Sequence, residues 1–294
     1  MRGNGVPDEE YREEYVVARR VLLNALDALK EHLDSCILVG AQAIYLHTGE
    51  ADLAVAEFTT DADLAIDPRN LKPEPEIAES MLTAGFLPYM LMGTSSVGIW
   101  VSRHAIGGVE TAVNVDLLVP KSLSGAGTMS ARIPPYEKDV ALNVHGLEAA
   151  LVDNDSREIL ALEPGDHRSL NILVAGPAAL LISKCIKLGE RLEATDQGWR
   201  NLVKPKDALD ILRILRACRV GDLTEALIML RKDKLAGAVT DEAVTLLPEL
   251  FGSPEARGSR LAAQAAYPEP ADVIAMSCTA LANELLSLLD VRKI

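Results

Sequence analysis

Aromatic residues are scarce in this sequence: Phe, Trp and Tyr together make up 4% of its 294 residues. A core built from this chain must therefore rely on Leu, Ala, Val and Ile. Only four cysteines occur, Cys36, Cys185, Cys218 and Cys278, and no two have CxxC spacing. That argues against a thiolate metal site or a disulfide framework and predicts buried, free thiols. Long apolar runs are also missing. The longest, residues 172–182, is too short to cross a bilayer and contains Gly176-Pro177. Residues 1–10 are polar and acidic, without the apolar stretch of a secretory signal, so a cytoplasmic, reduced protein with no membrane partner is expected. Positive charge is in deficit as well. The 29 Lys and Arg stand against 43 Asp and Glu, for a formal net charge of −14. Broad nucleic-acid binding needs cations to neutralise phosphates, so it is disfavoured, although a local basic groove is not. There is no Walker motif, no GxGxxG and no serine nucleophile elbow. His47, His104, His145 and His167 form no metal-ligand spacing, and no role is assigned to them.

What the chain has is a globular composition, 49% hydrophobic and 24% charged. Its length suits one large domain or two ordinary ones. Helical spacing predicts one long helix over residues 8–34. A strand over 36–39, a short helix over 41–47 and a loop over 49–58 follow. A helix is expected over 73–84, closed by Gly85. Strands are expected over 86–92, 97–102, 111–119, 158–162 and 169–174, with residues 121–132 as a mobile, Ser- and Gly-rich loop. Gly176-Pro177 then opens a helical half, with helices over 178–192, 206–218, 223–230, 241–251 and 272–289 and a looser connection over 253–270. The fold class is therefore α+β, with residues 1–175 as a mixed-sheet domain and residues 176–294 as a helical domain.

The chain is organised around one stretch, Thr59-Thr60-Asp61-Ala62-Asp63-Leu64-Ala65-Ile66-Asp67. On a strand, Asp61 and Asp63 share a face. Paired carboxylates repel unless a cation lies between them, and hard divalent metals favour such oxygen ligands together with substrate phosphates. The alternative is an exposed Asp-rich turn. Asp116 strengthens the first reading, because it interrupts the apolar run Thr111-Ala112-Val113-Asn114-Val115-Asp116-Leu117-Leu118-Val119. A buried carboxylate needs a partner. If its strand lies beside the Asp61 strand, Asp116 completes a three-carboxylate cluster. Otherwise it sits at a sheet edge or caps a helix. Upstream, Cys36-Ile37-Leu38-Val39-Gly40-Ala41-Gln42 reads as strand, glycine turn and helix start, a place where backbone N–H groups can meet a phosphate.

A second constellation lies in the helical half. Lys184, Lys187 and Arg191 share one helix face. They are either a solvated stripe or the cations that a triphosphate needs at oxygens no metal covers. Lys206-Asp207-Ala208-Leu209-Asp210 follows, with Asp207 and Asp210 on one face, where acids also suit a helix start.

The combined order of strand, glycine turn, helix, Thr-x-Asp-x-Asp and Val-Asp-Leu-Leu resembles the polymerase-β-like nucleotidyltransferase superfamily. Within it, the chain looks most like the AbiEii-like nucleotidyltransferases, including the MenT group of toxin–antitoxin toxins. Two departures stand out: the turn is Gly40-Ala41, and Glu57 occupies a position where that family often has Arg. The resemblance implies a two-metal Mg²⁺ site, with Mn²⁺ as a substitute, on Asp61, Asp63 and Asp116. It implies phosphate contacts from Gly40, Ala41 and Thr59. It also implies an active-site role for Lys184 or Lys187 with Arg191, and for Lys206, Asp207 and Asp210; the spacing to Arg191 favours Lys184 as the catalytic lysine. The segment 193–203 reads as an insertion between these motifs. The activity implied is transfer of a nucleoside monophosphate from a nucleoside triphosphate to a hydroxyl. The acceptor implied is the 3′ end of tRNA, and the context a translation-blocking toxin with a cognate antitoxin protein. A small-molecule acceptor, as in antibiotic-inactivating enzymes, a protein acceptor, and a non-catalytic nucleotide-binding partner are the alternatives.

Overall fold

A computed structural model of the chain describes residues 13–49, 61–91, 94–125, 129–134, 136, 140–198 and 202–291. Its centre is an eight-stranded mixed sheet. The strands are β1 (Cys36–Val39), β2 (Ala62–Ile66), β3 (Leu87–Leu91), β4 (Thr94–Ile106), β5 (Val109–Pro120), β6 (Leu142–Val144), β7 (Asn154–Leu160) and β8 (Ser169–Ala175). The order across the sheet is β3-β4-β5-β2-β1-β8-β7, with β6 added to β5. β2 runs parallel to β5 and antiparallel to β1, and β1 runs parallel to β8. The outer hairpins β3–β4, β4–β5 and β7–β8 are antiparallel.

The two central strands are apolar nearly throughout, as strands covered on both faces must be. All four residues of β1 are buried, and in β2 only Asp63 is not. Helix α1 (Glu13–Ala28) crosses the sheet over β2, β4, β5 and β8. It buries Val17, Val21, Leu22 and Leu26 there. The helix expected to reach residue 34 ends at Ala28, and a 3₁₀ turn, Lys30–Ser35, leads into β1. Helix α2 (Gly40–Thr48) follows β1 directly, and α3 (Ile77–Thr83) is shorter than its pattern suggested.

The helical region consists of α4 (Pro177–Asp196), α5 (Pro205–Ala217), α6 (Val220–Lys232), α7 (Gly237–Phe251), α8 (Arg257–Ala265) and α9 (Ala271–Val291). It docks through α4 and α5 onto α2. One apolar core runs through both halves, from Leu22 and Leu38 to Ile211 and Leu285. The α+β class is thus observed, with a mixed open sheet and a C-terminal helical region. The connection over 253–270 contains α8, whose Ala262 and Ala263 are buried. Small residues there carry too little hydrophobic signal to mark a helix. β6 also went unread, since three residues have no period. The expected mobile segment after β5 begins with a 3₁₀ turn, Lys121–Leu123, and Ser130 bridges to Leu142. Cys36, Cys185 and Cys278 are buried free thiols, and Cys218 is a half-buried one. Helix α9 is long and apolar enough to span a membrane, with a hydropathy of 1.4 over residues 271–290, but it buries Ile274, Cys278, Ala282, Leu285 and Leu289 as one stripe against the protein.

Candidate active-site cleft

The parallel register of β2 on β5 sets Asp63 directly beside Asp116. Among the described residues, this pairing brings two acids to adjacent positions in strands otherwise rich in Val, Leu and Ala. Asp61 lies two residues before Asp63, immediately ahead of β2, and the two carboxylates repel each other. On the other side of β2, Val39 pairs with Asp63, which delivers the chain into Gly40 and α2. Gly40 has φ +69°, and a methyl group on it would overlap the Asp63 carboxylate. Glycine is therefore required twice, for the left-handed backbone and for the close approach of α2 to the acid. Val39, at the N-cap of α2, offers no capping side chain. The start of α2 is the kind of place where backbone N–H groups can meet an anion.

Burial raises the Asp116 carboxyl to about 8, and the charges of Asp63 and Asp61 push the same way. Its Oδ1 is buried and has no hydrogen-bond partner among the described residues. An orphaned carboxylate oxygen of this kind is costly and needs a cation or a donor. Burial likewise raises Asp61, with Asp63 adding to it, while Lys206, Lys204 and Lys187 oppose the rise. Three lysines from the helical region thus face the three acids. Lys187 is solvent-accessible but crowded by the cleft walls. That crowding pulls its pKa down, and the nearby Lys184 charge adds to the effect. Among the described residues Lys187 makes no ion pair. Lys204 was not singled out from sequence, because it precedes the helix; its lysine-rich context, Lys204-Pro205-Lys206, was the available signal.

Lys184 has a different environment. It is 5% exposed, and its ammonium bonds Asp207 Oδ1 at 3.1 Å and Asp210 Oδ2 at 2.7 Å. Arg191 takes the other oxygen of Asp207, and Arg213 the other oxygen of Asp210 at 3.2 Å. Arg213 also lies over the Tyr45 ring of α2, 5.0 Å from its centroid. Every oxygen of the two acids therefore has a cationic donor, and although burial pushes Asp207 up, Lys184, Lys187 and Arg191 together hold it down to about 2. This knot joins α4, α5 and α2.

Between the sheet and α4 lies a cleft of about 300 Å³. Its floor is Gly40, Asp63 and Asp116. Lys184, Lys187 and Arg191 form one wall, while Leu118, Leu142 and Val144 form an apolar one. The structure therefore gathers Gly40, Asp63, Asp116, Lys187 and Arg191 in one cleft. Lys206 acts on Asp61 electrostatically, and Lys184, Asp207 and Asp210 are tied in the adjoining knot. Ala41, the second residue of α2, is buried. Thr59 and Glu57 lie outside the described residues.

The acids fit a magnesium site in donor chemistry, and the orphaned oxygen of Asp116 argues for a cation there. Among the described residues no three Asp, Glu, His or Cys side chains are gathered tightly enough to enclose an ion unaided. Magnesium does not require such a cage, since it is commonly held by one or two carboxylates plus substrate phosphates and water. In comparisons with protein-family models, curated proteins and solved structures, nothing matches this chain.

Proposed function

We propose that the cleft transfers a nucleoside monophosphate from a nucleoside triphosphate to an acceptor hydroxyl. The observation that carries this reading is the side-by-side pairing of Asp63 and Asp116, one Asp116 oxygen buried and without a hydrogen-bond partner among the described residues, in a cleft that also holds Lys187, which makes no ion pair among them. Asp61, Asp63 and Asp116 would hold magnesium. When bound, it offsets triphosphate charge and lowers the pKa of the attacking hydroxyl. The chain's own groups do the rest. The N–H groups at the start of α2, at Gly40 and Ala41, bind phosphate oxygens. Lys187 neutralises charge that develops on the departing diphosphate, a task suited to a cation fixed on a rigid helix. Lys204 and Lys206 extend that positive field toward Asp61. Arg191, anchored by Asp207, keeps further N–H donors at the cleft wall. We therefore assign the phosphate-facing role to Lys187 rather than to Lys184, whose charge is already compensated.

The resemblance implies the 3′ end of tRNA as acceptor, in a toxin neutralised by an antitoxin. A small cationic acceptor is the second reading. It is favoured by the net charge of −14, by Glu190 in the cleft lining and by Glu242 bonded to the lining residue His145. Incubating the protein with each labelled nucleoside triphosphate, Mg²⁺ and either total RNA or polyamine-type alcohols separates the two. The Asp63→Ala variant should lose labelling by at least about a thousandfold, roughly 4 kcal/mol of barrier, while remaining folded. Equal labelling by wild type and variant rules out the proposed site.

A further inference from the structure

The cleft that holds the acids is also lined by a histidine to which the sequence assigned no role. His145 lines the cleft, and its Nε2 lies 2.7 Å from Glu242 Oε2 of α7. Its backbone is fixed from three sides. β6 pairs with β5 through Leu118–Leu142 and Pro120–Val144, immediately before it. Gly146, at φ +89°, is wedged against Ile186 of α4, so closely that a Cβ there would lie 3.0 Å from that side chain. The buried carboxylate of Glu148 accepts from the Gly146 and Ser122 N–H groups at 3.0 and 3.1 Å. A side chain meant only for the surface does not need so much support, whereas one that must meet a reacting group does.

The pair with Glu242 also sets the chemistry of the ring. A carboxylate only accepts, so Nε2 carries the hydrogen and Nδ1 keeps its lone pair. This is the orienting logic of a histidine–acid pair, in which the acid fixes the tautomer and stabilises the imidazolium that forms. The charged groups at this end of the cleft are Glu242 of α7, Glu190 and Glu193 of α4, and Lys121 after β5. Lys187 and Arg191 face the same space from α4, and Asp63 and Asp116 from the sheet.

We propose that His145, oriented by Glu242, is the base that takes the proton of the acceptor hydroxyl. This rests on the nucleotidyl-transfer reading. The acceptor O–H bond breaks and its proton passes to Nδ1. The oxygen forms a bond to the α-phosphorus as the bond to the β-phosphate oxygen breaks. Diphosphate leaves, and the imidazolium, paired with Glu242, returns its proton to water. The acceptor hydroxyl therefore enters from the β6–α7 side, and the triphosphate lies toward Gly40 and Lys187.

The test uses the full chain with Mg²⁺. Binding of a fluorescent nucleoside triphosphate, melting temperature and transfer rate from pH 5.5 to 9 are measured for wild type, His145→Gln and Glu242→Gln. Glutamine at 145 can still donate to Glu242 but is no base. We expect unchanged triphosphate affinity and melting temperature with a loss of transfer of about 10²–10⁴-fold, the range typical of general-base removal. The ionisation assigned to His145 on the acidic limb of the rate profile should vanish, and free imidazole should restore part of the rate to His145→Ala. Glu242→Gln should reduce transfer less and leave the limb in place, shifted. A His145→Gln protein that keeps both rate and limb overturns the base assignment alone. A wild-type chain that binds no triphosphate overturns the nucleotidyl-transfer reading and this proposal with it. If His145→Gln does not fold, Glu242→Gln decides: an unchanged rate and profile there overturn the proposal.

Discussion

Two charge clusters lie a few residues apart in this protein, and they have opposite characters. In the knot of Lys184, Arg191, Arg213, Asp207 and Asp210, all four carboxylate oxygens have cationic donors. In the cleft, Asp63 and Asp116 lie side by side, burial and the neighbouring acids disfavour the Asp116 charge, and its Oδ1 has no partner among the described residues. Lys187 faces them without an ion pair among the described residues. Satisfied buried charge fixes geometry, whereas unsatisfied buried charge is tolerated where a ligand will complete it. The first cluster is the scaffold of the second: α4 carries Lys184 into the knot and, one turn later, Lys187 into the cleft.

Breaking the knot should give the largest effect. Lys184→Ala leaves two buried acids facing each other, and truncating one partner of a buried pair costs about 3–5 kcal/mol. Chemical denaturation should show that loss, with α4, α5 and α2 the elements released. Lys187→Ala sharpens the contrast by doing the reverse. Stability should stay within about 0.5 kcal/mol. Transfer should fall by about a hundredfold, the loss typical of one electrostatic stabiliser. Steady-state kinetics beside a melting curve for both variants decide the comparison. If Lys184→Ala melts like wild type and loses only turnover, the roles of the two lysines are exchanged.

That exchange shows where the sequence was legible. Asp63 and Asp116 were legible because a carboxylate in an apolar strand has few bland explanations, and Asp61 because it lies two residues before Asp63. The bet that their strands were neighbours is met by the β2–β5 register. Gly40 could be picked out because a glycine between strand and helix has a steric reason. The spacing to Arg191 favoured Lys184 over Lys187, but both lie on one face of α4, so their environments were not legible. Which of them meets Asp207 and Asp210 depends on how α5 docks, a tertiary fact with no local signature. His145 was unreadable for the same reason, as Glu242 is 97 residues away. β6 and α8 were missed because three residues, or a run of alanines, carry no period.

The smallest effect, and the most specific to the cleft, concerns Asp116 and pH. Its carboxyl ionises near 8 in the folded chain because burial, and then Asp63 and Asp61, disfavour the charge. In the unfolded chain it ionises near 4. Between those values the folded state binds more protons than the unfolded one, so stability falls as pH rises from about 4 to about 8. Asp116→Asn removes the proton uptake and most of the repulsion. In EDTA the variant should match wild type near pH 4 and exceed it near pH 8. Water reaches the cleft and the acids can relax, so we expect a gain of about 1–2 kcal/mol, a few degrees in melting temperature. Adding Mg²⁺ at pH 8 should close the gap from the wild-type side, since a cation bound only by the folded state stabilises it by mass action. The same pH ramp on Asp207→Asn provides the control. Its carboxyl is held near 2, so ionisation stabilises the fold, and removing it should destabilise the chain at pH 8 with no response to Mg²⁺. If the two variants shift in the same direction, the cleft acids are as well compensated as the knot, and the distinction between the clusters fails.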